Sequence, residues 1–278
     1  MIRAHDLLGF VSGLAWPTLF ALSSITAFEL LLPRGRKQNL AESLPGTLFW
    51  LIWVPVSAVI HNSYHLLWAK LGIAPLVVLP LDMKWTGVLA AFLAPIAGAV
   101  MYDFFFYWAH RAQHRWFWRF HAVHHSIEDL SAVNSYHHIS EPLFQTALIL
   151  LPISLVGWNT GAASGIAVMM IYLQNSWIHS PTSFHFGPLR WLVDNRFHRI
   201  HHSLEEKHFD KNFGAFTTLW DRLFGTAWMP AKNEWPDTGL AEIRQPRSLR
   251  AWVSLPWRYS AENTPPTAAS EARLTEPA

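Results

Sequence analysis

Four long apolar stretches restrict what this chain can fold into. Residues 7–32, 44–69 and 85–108 each reach the length of about 20 residues that a helix needs to cross a bilayer. The fourth, 142–178, is interrupted between Gly157 and Gly161, which predicts a helical hairpin that crosses, or enters, and returns. Charged residues make up 14% of the chain, whereas about 25% is usual in soluble domains. We therefore predict an all-α integral membrane protein.

The first stretch could instead be a signal peptide. It is longer than the apolar core of such a peptide, has no cleavage-like end and is preceded by one basic residue, Arg3. These features favour a membrane helix. The sixteen tryptophans agree with this interpretation, because indole rings are enriched where membranes meet water.

Basic residues near the ends of the stretches predict the orientation. The first and third stretches are followed by Arg34, Arg36, Lys37, Arg111, Arg115 and Arg119, whereas the loop between the second and third has only Lys70 and Lys84. Since basic loops face the cytoplasm, we expect the segments after the first and third stretches to be cytoplasmic. A bacterial inner membrane fits this arrangement, with the endoplasmic reticulum as the alternative.

We expect five segments along the chain. Residues 1–108 hold three transmembrane helices, 109–141 begin a cytosolic cap, 142–178 form the hairpin and 179–259 complete the cap. Residues 260–278, rich in Pro, Ala, Thr and Glu, are expected to be disordered. This topology returns both parts of the cap to one face of the membrane.

Three histidine clusters lie in the expected cap. They are His110 and His114, then His121, His124 and His125, then His198, His201 and His202. Residues three or four apart share a helix face, and imidazole is the commonest side-chain metal ligand. Eight imidazoles exceed the four ligands of tetrahedral zinc and suit two ions of higher coordination. The chain has no cysteine, which excludes thiolate sites, but neutral imidazole suits zinc, copper, iron and nickel alike.

The clusters lie within longer motifs. These are Asp103-Phe-Phe-Phe-Tyr-Trp-Ala-His110-Arg, Trp118-Arg-Phe-His121-Ala-Val-His124-His125-Ser, Asp210-Lys-Asn-Phe-Gly214 and Trp220-Asp-Arg-Leu-Phe-Gly-Thr226. In this order on a membrane chain, they resemble the fatty acid hydroxylase / sterol desaturase superfamily over about residues 95–228. The closing motif looks most like the sterol desaturase and alkylglycerol monooxygenase-like branches.

The resemblance implies a membrane-bound non-haem di-iron oxidoreductase. It implies two iron ions (Fe2+/Fe3+), O2 as co-substrate, and hydroxylation or desaturation of a C–H bond in a lipid (a sterol, fatty acyl or related chain). It also implies a separate electron donor, such as a reductase, a ferredoxin or a cytochrome b5-like protein. Carried over residue by residue, the ligands are His110, His114, His121, His124, His125, His198, His201 and His202, with His179 in Trp177-Ile-His179-Ser as a further ligand.

Other polar residues are candidates for supporting roles. The carboxylates that could orient ligand N–H groups are Asp103, Glu141, Asp194, Asp210 and Asp221. His138 resembles the histidine of a His-Pro-x-acid element in sterol desaturases, although Ile139 replaces the proline. His61 and His65 share a helix face but are left outside the site, and His185 and His208 are expected to be surface or cap residues. Gly214 is expected in a turn.

Two other functions are consistent with a histidine-rich membrane chain. A zinc-dependent membrane hydrolase would need an activating carboxylate, as in HExxH, and the sequence has no such motif. A non-enzymatic metal-binding or transport protein would place ligands within the membrane, where His61 and His65 keep this alternative open. The net charge of +2 gives no indication of nucleic-acid binding.

Overall fold

The computed structural model describes residues 4–34, 40–78, 87–157, 163–187 and 189–258, and these are mostly helical. The helices are α1 (Ala4–Leu31), α2 (Leu40–Leu71), α3 (Gly87–Trp116), α4 (Trp118–His125), α5 (Glu141–Gln145), α6 (Leu151–Ser154), α7 (Ala163–Ile178), α8 (Asn195–His201), α9 (Leu219–Leu223) and α10 (Leu249–Arg258). A π-helical turn at Thr146–Leu150 joins α5 to α6, and a 3₁₀ turn covers Glu206–His208.

Some expectations fall outside the described residues. They concern the tail at 260–278, the hairpin break at 158–161 and the basic residues Arg36, Lys37 and Lys84. The three apolar stretches predicted to be helical do form α1, α2 and α3 where they are described.

The described helices differ in how well they suit a membrane. One segment, Glu42–Leu71, is long and apolar enough to cross a bilayer by length and composition. Shorter apolar helical segments cover Ala15–Leu31, Glu141–Ser154 and Ile166–Ile178. The long helices contain prolines at Pro17, Pro45, Pro55 and Pro95 and continue through them. Each proline removes one backbone donor, which a helix tolerates where neighbouring groups cover the freed carbonyl.

Helix α3 lies at the centre of the fold. It packs against α7, the π-helical turn and α4, while α1 packs against α2 and α7. Two polar contacts attach α1 and α2 to the loop that follows α4. Glu29 Oε1 accepts a hydrogen bond from the backbone N–H of Ala132 at 2.8 Å, and Trp50 Nε1 donates to the carbonyl of Val133 at 2.9 Å.

Two apolar clusters support the histidine-bearing elements. One contains Phe49, Val123, Ile127, Leu130, Tyr136, Trp252 and Leu255. In it the rings of Phe49 and Trp252 stack with centroids 4.5 Å apart, which joins α2 to α10 beneath α4. The other contains Trp177, Ile178, Val193, Phe197 and Ala215, and joins the end of α7 to α8.

The fourth apolar stretch is less regular than a simple hairpin. Its first half changes from α to π geometry at Thr146–Leu150, where the N–H of Leu151 donates to the carbonyl of Thr146. Pro152 follows directly and has no N–H to continue an α-helical pattern, so the wider turn falls where the helix is already interrupted. A two-residue parallel pair, β1 (Val77–Val78) with β2 (Val156–Gly157), departs from the all-α expectation.

Candidate metal centre

Five histidines from three helices form a first group. It contains His110 and His114 from α3, His121 and His125 from α4, and His201 from α8, with one ligand atom of each within 4.8 Å of the others. His110 Nε2 lies 3.0 Å from His121 Nε2, and His114 Nε2 lies 3.2 Å from His125 Nε2. On both α3 and α4 the two members are four residues apart, so one helical turn presents both rings to the same point.

Four other histidines form a second group beside the first. They are His124, His179, His198 and His202. His179 Nε2 lies 3.1 Å from His124 Nε2 and 3.0 Å from His198 Nε2. His179 follows the last residue of α7, and its position brings that helix to the ends of α4 and α8. The structure thus gathers all nine predicted ligands into two adjacent groups.

The sequence spacing alone did not indicate that the histidines of each HxxHH cluster divide between the two groups. On α4, His121 and His125 belong to the first group, whereas His124 belongs to the second. On α8, His201 belongs to the first group and His198 to the second. Each short helix therefore contributes to both groups and fixes the distance between them.

Backbone carbonyls hold the outer nitrogens of several of these rings. The Nδ1 atoms contact carbonyl oxygens as follows: His110 to Phe213 at 2.9 Å, His124 to Tyr136 at 3.2 Å, His179 to Asn175 at 2.6 Å and His201 to Lys211 at 2.7 Å. A carbonyl can only accept, so each Nδ1 carries the proton and each Nε2 presents a lone pair.

The facing lone pairs need a cation between them. His124 Nε2 and His179 Nε2 are 3.1 Å apart, and neither can donate to the other while its Nδ1–H serves a carbonyl. Both ring nitrogens of His202 are buried and have no hydrogen-bond partner among the described residues. Buried polar atoms in this state are costly unless something pairs with them. The residues present therefore fit bound metal ions.

Burial also keeps these imidazoles neutral. It lowers the pKa of His179 to about 4. Burial, reinforced by neighbouring imidazoles, lowers the pKa well below its usual value at His110, His121, His124, His125, His198, His201 and His202. Neutral imidazole is the form that binds a metal, so these rings are ready to bind metal ions at neutral pH.

Two carboxylates predicted to orient ligands act instead on a loop. Asp103 accepts from the backbone N–H groups of Ala215, Phe216 and Thr217 at 2.8, 2.9 and 2.9 Å. Asp221 accepts from those of Phe213 and Gly214, both at 2.8 Å. The loop that they hold carries the Phe213 carbonyl, which receives the proton of His110 Nδ1. Asp103 and Asp221 thus position a ligand without touching it.

The other candidate carboxylates divide by role. Asp210 Oδ1 lies 3.3 Å from His114 Nδ1 and is the one candidate that contacts a ligand directly. Burial alone would raise the pKa of Asp210, but the contact with His114 and nearby basic groups lower it overall. Asp194 caps α8 by accepting from the backbone N–H groups of Arg196 and Phe197. Glu141 accepts from Gln113 Nε2 at 2.8 Å and contacts no ligand.

Comparison with known proteins shows what the part of the chain that carries this site is similar to. A family model described as fatty acid hydroxylase matches residues 95–226, which include all nine histidines of the two groups. Over these residues the chain is similar to the fatty acid hydroxylase family. This confirms the resemblance noted from the motifs.

The curated relatives of this chain differ in length. The chain is 28% identical to the ornithine lipid hydroxylase OlsE of Rhizobium tropici, over 85% of this chain and 77% of that protein. It is 28% identical to the human alkylglycerol monooxygenase, over 73% of this chain and 43% of that enzyme. It is 30% identical to the fatty acid hydroxylase vlmA of a Lecanicillium species, over 52% and 44%. The chain thus spans less than half of the last two, and no solved structure matches it.

A cavity of about 400 Å³ lies between the two histidine groups and the helical bundle. His110, His121, His124, His179 and His198 form part of its lining. The remaining walls come from α1, α2, α3, α7 and the α5–α6 segment. Its volume is within the roughly 300–1,000 Å³ that is usual for sites that bind small molecules.

His137 is a residue of the site that the sequence analysis missed. Its ring stacks on that of His124, with centroids 3.8 Å apart and planes at 13°, and it lines the cavity. Burial, with repulsion from His179, lowers the pKa of His137 to about 3. It follows no helical spacing with the clusters, so only the folded loop brings it to the site.

The remaining histidines whose side chains are described lie outside the two groups. His138 contacts Ser140 Oγ at 2.7 Å and the Val253 carbonyl at 3.1 Å, so it braces α10 rather than a ligand. His185 is partly exposed. The expectation of a surface position is wrong for His208, which is buried between Ser203 and Glu234 at 2.8 and 3.2 Å. His61 lines the cavity within α2, and His65 is exposed.

Proposed function

We propose that this protein is a multi-pass membrane di-iron enzyme that uses O2 to hydroxylate or desaturate a lipid C–H bond. The observation that carries the proposal is the pair of histidine groups with facing Nε2 lone pairs at the end of a cavity within the helical bundle. Iron bound there would supply the one-electron chemistry and O2 activation that cleavage of an unactivated C–H bond requires.

Each group of side chains has a defined task in this function. The nine histidines would hold the two ions, and the carbonyls of Phe213, Tyr136, Asn175 and Lys211 fix the direction of four of the rings. The cavity holds the lipid with one carbon facing the ions and excludes bulk water from it. Insertion of one oxygen atom uses O2, two electrons and two protons, and releases water. The electrons come from a separate donor protein.

The lengths of the helices support the membrane placement. At 1.5 Å per residue, the 30 residues of α3 extend about 45 Å, against a hydrocarbon core of about 30 Å. If the apolar part of α3 spans the bilayer, the excess length would leave His110 and His114 beyond the membrane surface, on the side where α4 and α8 lie. We propose three spans within 1–108, a hairpin at 142–178 and a cytosolic cap from 109–141 and 179–259. The bacterial inner membrane is the proposed location.

The relatives support a lipid substrate. Their names describe enzymes that act on ornithine lipids, alkylglycerols and fatty acids. These molecules share long apolar chains and differ in their polar heads, so the comparison favours a lipid for this chain without choosing its head group.

Metal content tests the proposal. The purified wild-type protein should bind close to two iron ions per chain by elemental analysis, and the reduced iron-loaded protein should consume O2. His124→Ala should lose metal from the second group, because three of its four imidazoles would remain. His185→Ala, which changes a histidine outside both groups, serves as the control and should keep its iron. Absence of metal in the wild-type protein after iron reconstitution would contradict the proposal.

A further inference from the structure

Helix α10 presents an apolar stripe that no described element covers. The side chains of Leu249, Val253 and Trp257 follow one another at intervals of four residues and are 47, 41 and 65% exposed. Residues at this interval lie on one face of a helix. The other face, with Trp252 and Leu255, is buried within the protein. An apolar surface left outside a packed core indicates a site of contact with something else.

Basic residues border this stripe on one side. At 3.6 residues per turn, the stripe covers about 80° of the helix surface, and Arg250 and Arg258 follow at about 100° and 180° from Leu249. Both arginines are exposed, and neither forms an ion pair with a residue that the structure describes. Residues 243–258 include four arginines and no Asp or Glu. An apolar face beside a basic one is typical of helices that lie in the surface of a membrane.

The contact between α10 and α2 lies at the depth of a membrane surface. The apolar segment Glu42–Leu71 has 30 residues and extends about 45 Å, about 15 Å more than the hydrocarbon core. Centred on that core, the segment would project about 7.5 Å on each side. Phe49 stacks on Trp252 with centroids 4.5 Å apart, and it lies about 10 Å along the helix from the Glu42 end. In this placement Trp252 lies within a few ångströms of the core surface, where interfacial helices bind.

The end of the chain is poorly suited to cover the stripe. Residues 260–278 contain one large apolar side chain, Leu274, among Pro, Ala, Thr, Ser and charged residues. One such side chain cannot cover three exposed ones. A bilayer offers both of the chemistries that the helix needs, since acyl chains match the stripe and anionic head groups match Arg250 and Arg258.

The inner face of α10 holds the loop that packs on the second histidine group. Trp252 Nε1 donates to the His137 carbonyl at 2.9 Å, and the Val253 carbonyl lies 3.1 Å from His138 Nε2. The ring of His137 stacks on that of His124, with centroids 3.8 Å apart. The position of α10 therefore affects where this loop meets a predicted metal ligand.

Taking these observations together, we propose that α10 is a membrane-surface helix that binds anionic phospholipids. Leu249, Val253 and Trp257 insert among the acyl chains, and Arg250 and Arg258 pair with phosphate groups. Contact with the bilayer holds α10 against the loop and so stabilises metal binding by the second group. The inference rests on the proposed membrane placement and adds a lipid-binding surface outside the cavity.

Fluorescence from single labels tests where α10 lies. The full chain has no cysteine, so Val253→Cys can carry a polarity-sensitive nitrobenzoxadiazole dye. Glu206→Cys is the control, because Glu206 is exposed between two exposed charged residues. Both proteins are placed in nanodiscs of phosphatidylcholine and phosphatidylglycerol, with a doxyl quencher near the head group of one lipid or the other. The label at position 253 should emit at shorter wavelength and be quenched, and the label at position 206 should show neither effect.

The choice of quencher tests the preference for anionic lipid. Labelled phosphatidylglycerol should quench the label at position 253 more than the same mole fraction of labelled phosphatidylcholine, because the arginines concentrate anionic lipid beside the helix. The double variant Arg250→Gln/Arg258→Gln should make the two quenchers equal while the label stays in the lipid.

Iron affinity tests whether the membrane contact reaches the second group. In nanodiscs, competition with a chelator should show weaker iron binding by the double variant Leu249→Gln/Val253→Gln, in which both changes lie on the exposed stripe. Leu204→Gln, at an exposed leucine outside α10, is the matched control and should bind iron as the wild type does. Trp252→Phe removes the donor to the His137 carbonyl but keeps an aromatic ring. It should weaken iron binding without moving the label at position 253 out of the lipid.

The outcomes separate this inference from the proposed function. A label at position 253 that emits as in water, or that is shielded but not quenched by lipid, would overturn the inference, and the second result would indicate a protein partner. Equal quenching by the two lipids in the wild type would overturn the anionic preference, and unchanged iron affinity in Leu249→Gln/Val253→Gln would overturn the link to the metal group. Lipid contact by α10 in an iron-loaded protein that consumes no O2 when reduced would support the inference and contradict the oxidation. A water-exposed label in a protein that oxidises lipid would do the reverse.

Discussion

The side chain of Asp221 accepts hydrogen bonds from Phe213, Gly214 and the Thr226 hydroxyl, the last at 2.7 Å. Through the Phe213 carbonyl, it sets the direction of the His110 ring. Gly214 has almost no space for a side chain here, since a Cβ would lie 2.6 Å from the Thr217 carbonyl oxygen and 3.0 Å from Asp221 Oδ2. The left-handed backbone of this turn belongs instead to Asn212, with φ of 60°.

Asp221→Asn should therefore disturb both the loop and the metal. In the wild-type protein both carboxylate oxygens of Asp221 accept hydrogen bonds. In the variant, the amide nitrogen replaces one of these oxygens, so one buried donor loses its acceptor at a cost of about 1–3 kcal/mol. We expect a lower thermal midpoint and weaker iron binding, measured by calorimetry and by competition with a chelator. Glu242→Gln, at an exposed position, should change neither. A lower midpoint with unchanged iron affinity would show that the loop stabilises the fold but does not position a metal ligand.

At the scale of elements, the site depends on how closely the long helices approach the cap. Gly46, in α2, faces the loop after α4, where a Cβ would lie 2.7 Å from the Val133 carbonyl oxygen and also against Asn134 Oδ1. That loop carries Tyr136, whose carbonyl holds His124, and His137, which stacks on it. The approach of α2 thus determines where one wall of the second group lies.

The substitution Gly46→Ala tests this contact. Alanine is the better helix former by about 1 kcal/mol, but here it forces the loop away, at a cost of about 1–3 kcal/mol for overpacking. Gly98→Ala, in the interior of α3, is the matched control, because its Cβ would meet the Ala167 Cβ at an ordinary 3.5 Å. We expect a lower unfolding midpoint for Gly46→Ala and an equal or higher one for Gly98→Ala. Equal midpoints for the two variants would argue against the close approach.

At the scale of the whole molecule, the proposed membrane orientation separates the cap from the loop between the second and third spans. The chain has no cysteine, so single cysteines can be introduced without removing others. Glu242 lies in the cap and Ile73 lies in the loop, and both are exposed.

The expected labelling pattern follows directly from that orientation. In bacterial spheroplasts, whose inner membrane is sealed, a membrane-impermeant maleimide should label Ile73→Cys but not Glu242→Cys. Inverted vesicles should reverse the pattern, because the cap then faces the reagent. Labelling of both positions from the same side would contradict the proposed number of spans.

The sequence by itself determined the helical class and the histidines that are gathered at the site. Apolar stretches of membrane length favour helices because backbone groups must pair within the segment. Local spacing placed His110 with His114 because one helical turn separates them. His179 came from the family resemblance, and the structure brings it to the second group.

Only the tertiary structure decided how those histidines divide and what surrounds them. His124 and His125 are neighbours in sequence, yet they lie in different groups, because His125 meets His114 of α3 and His124 meets His179, which follows α7. His137 and the contacts by which Asp103 and Asp221 hold the loop have no local signature in the sequence. Their roles depend on contacts between residues far apart in the chain, and such contacts exist only once the helices have packed.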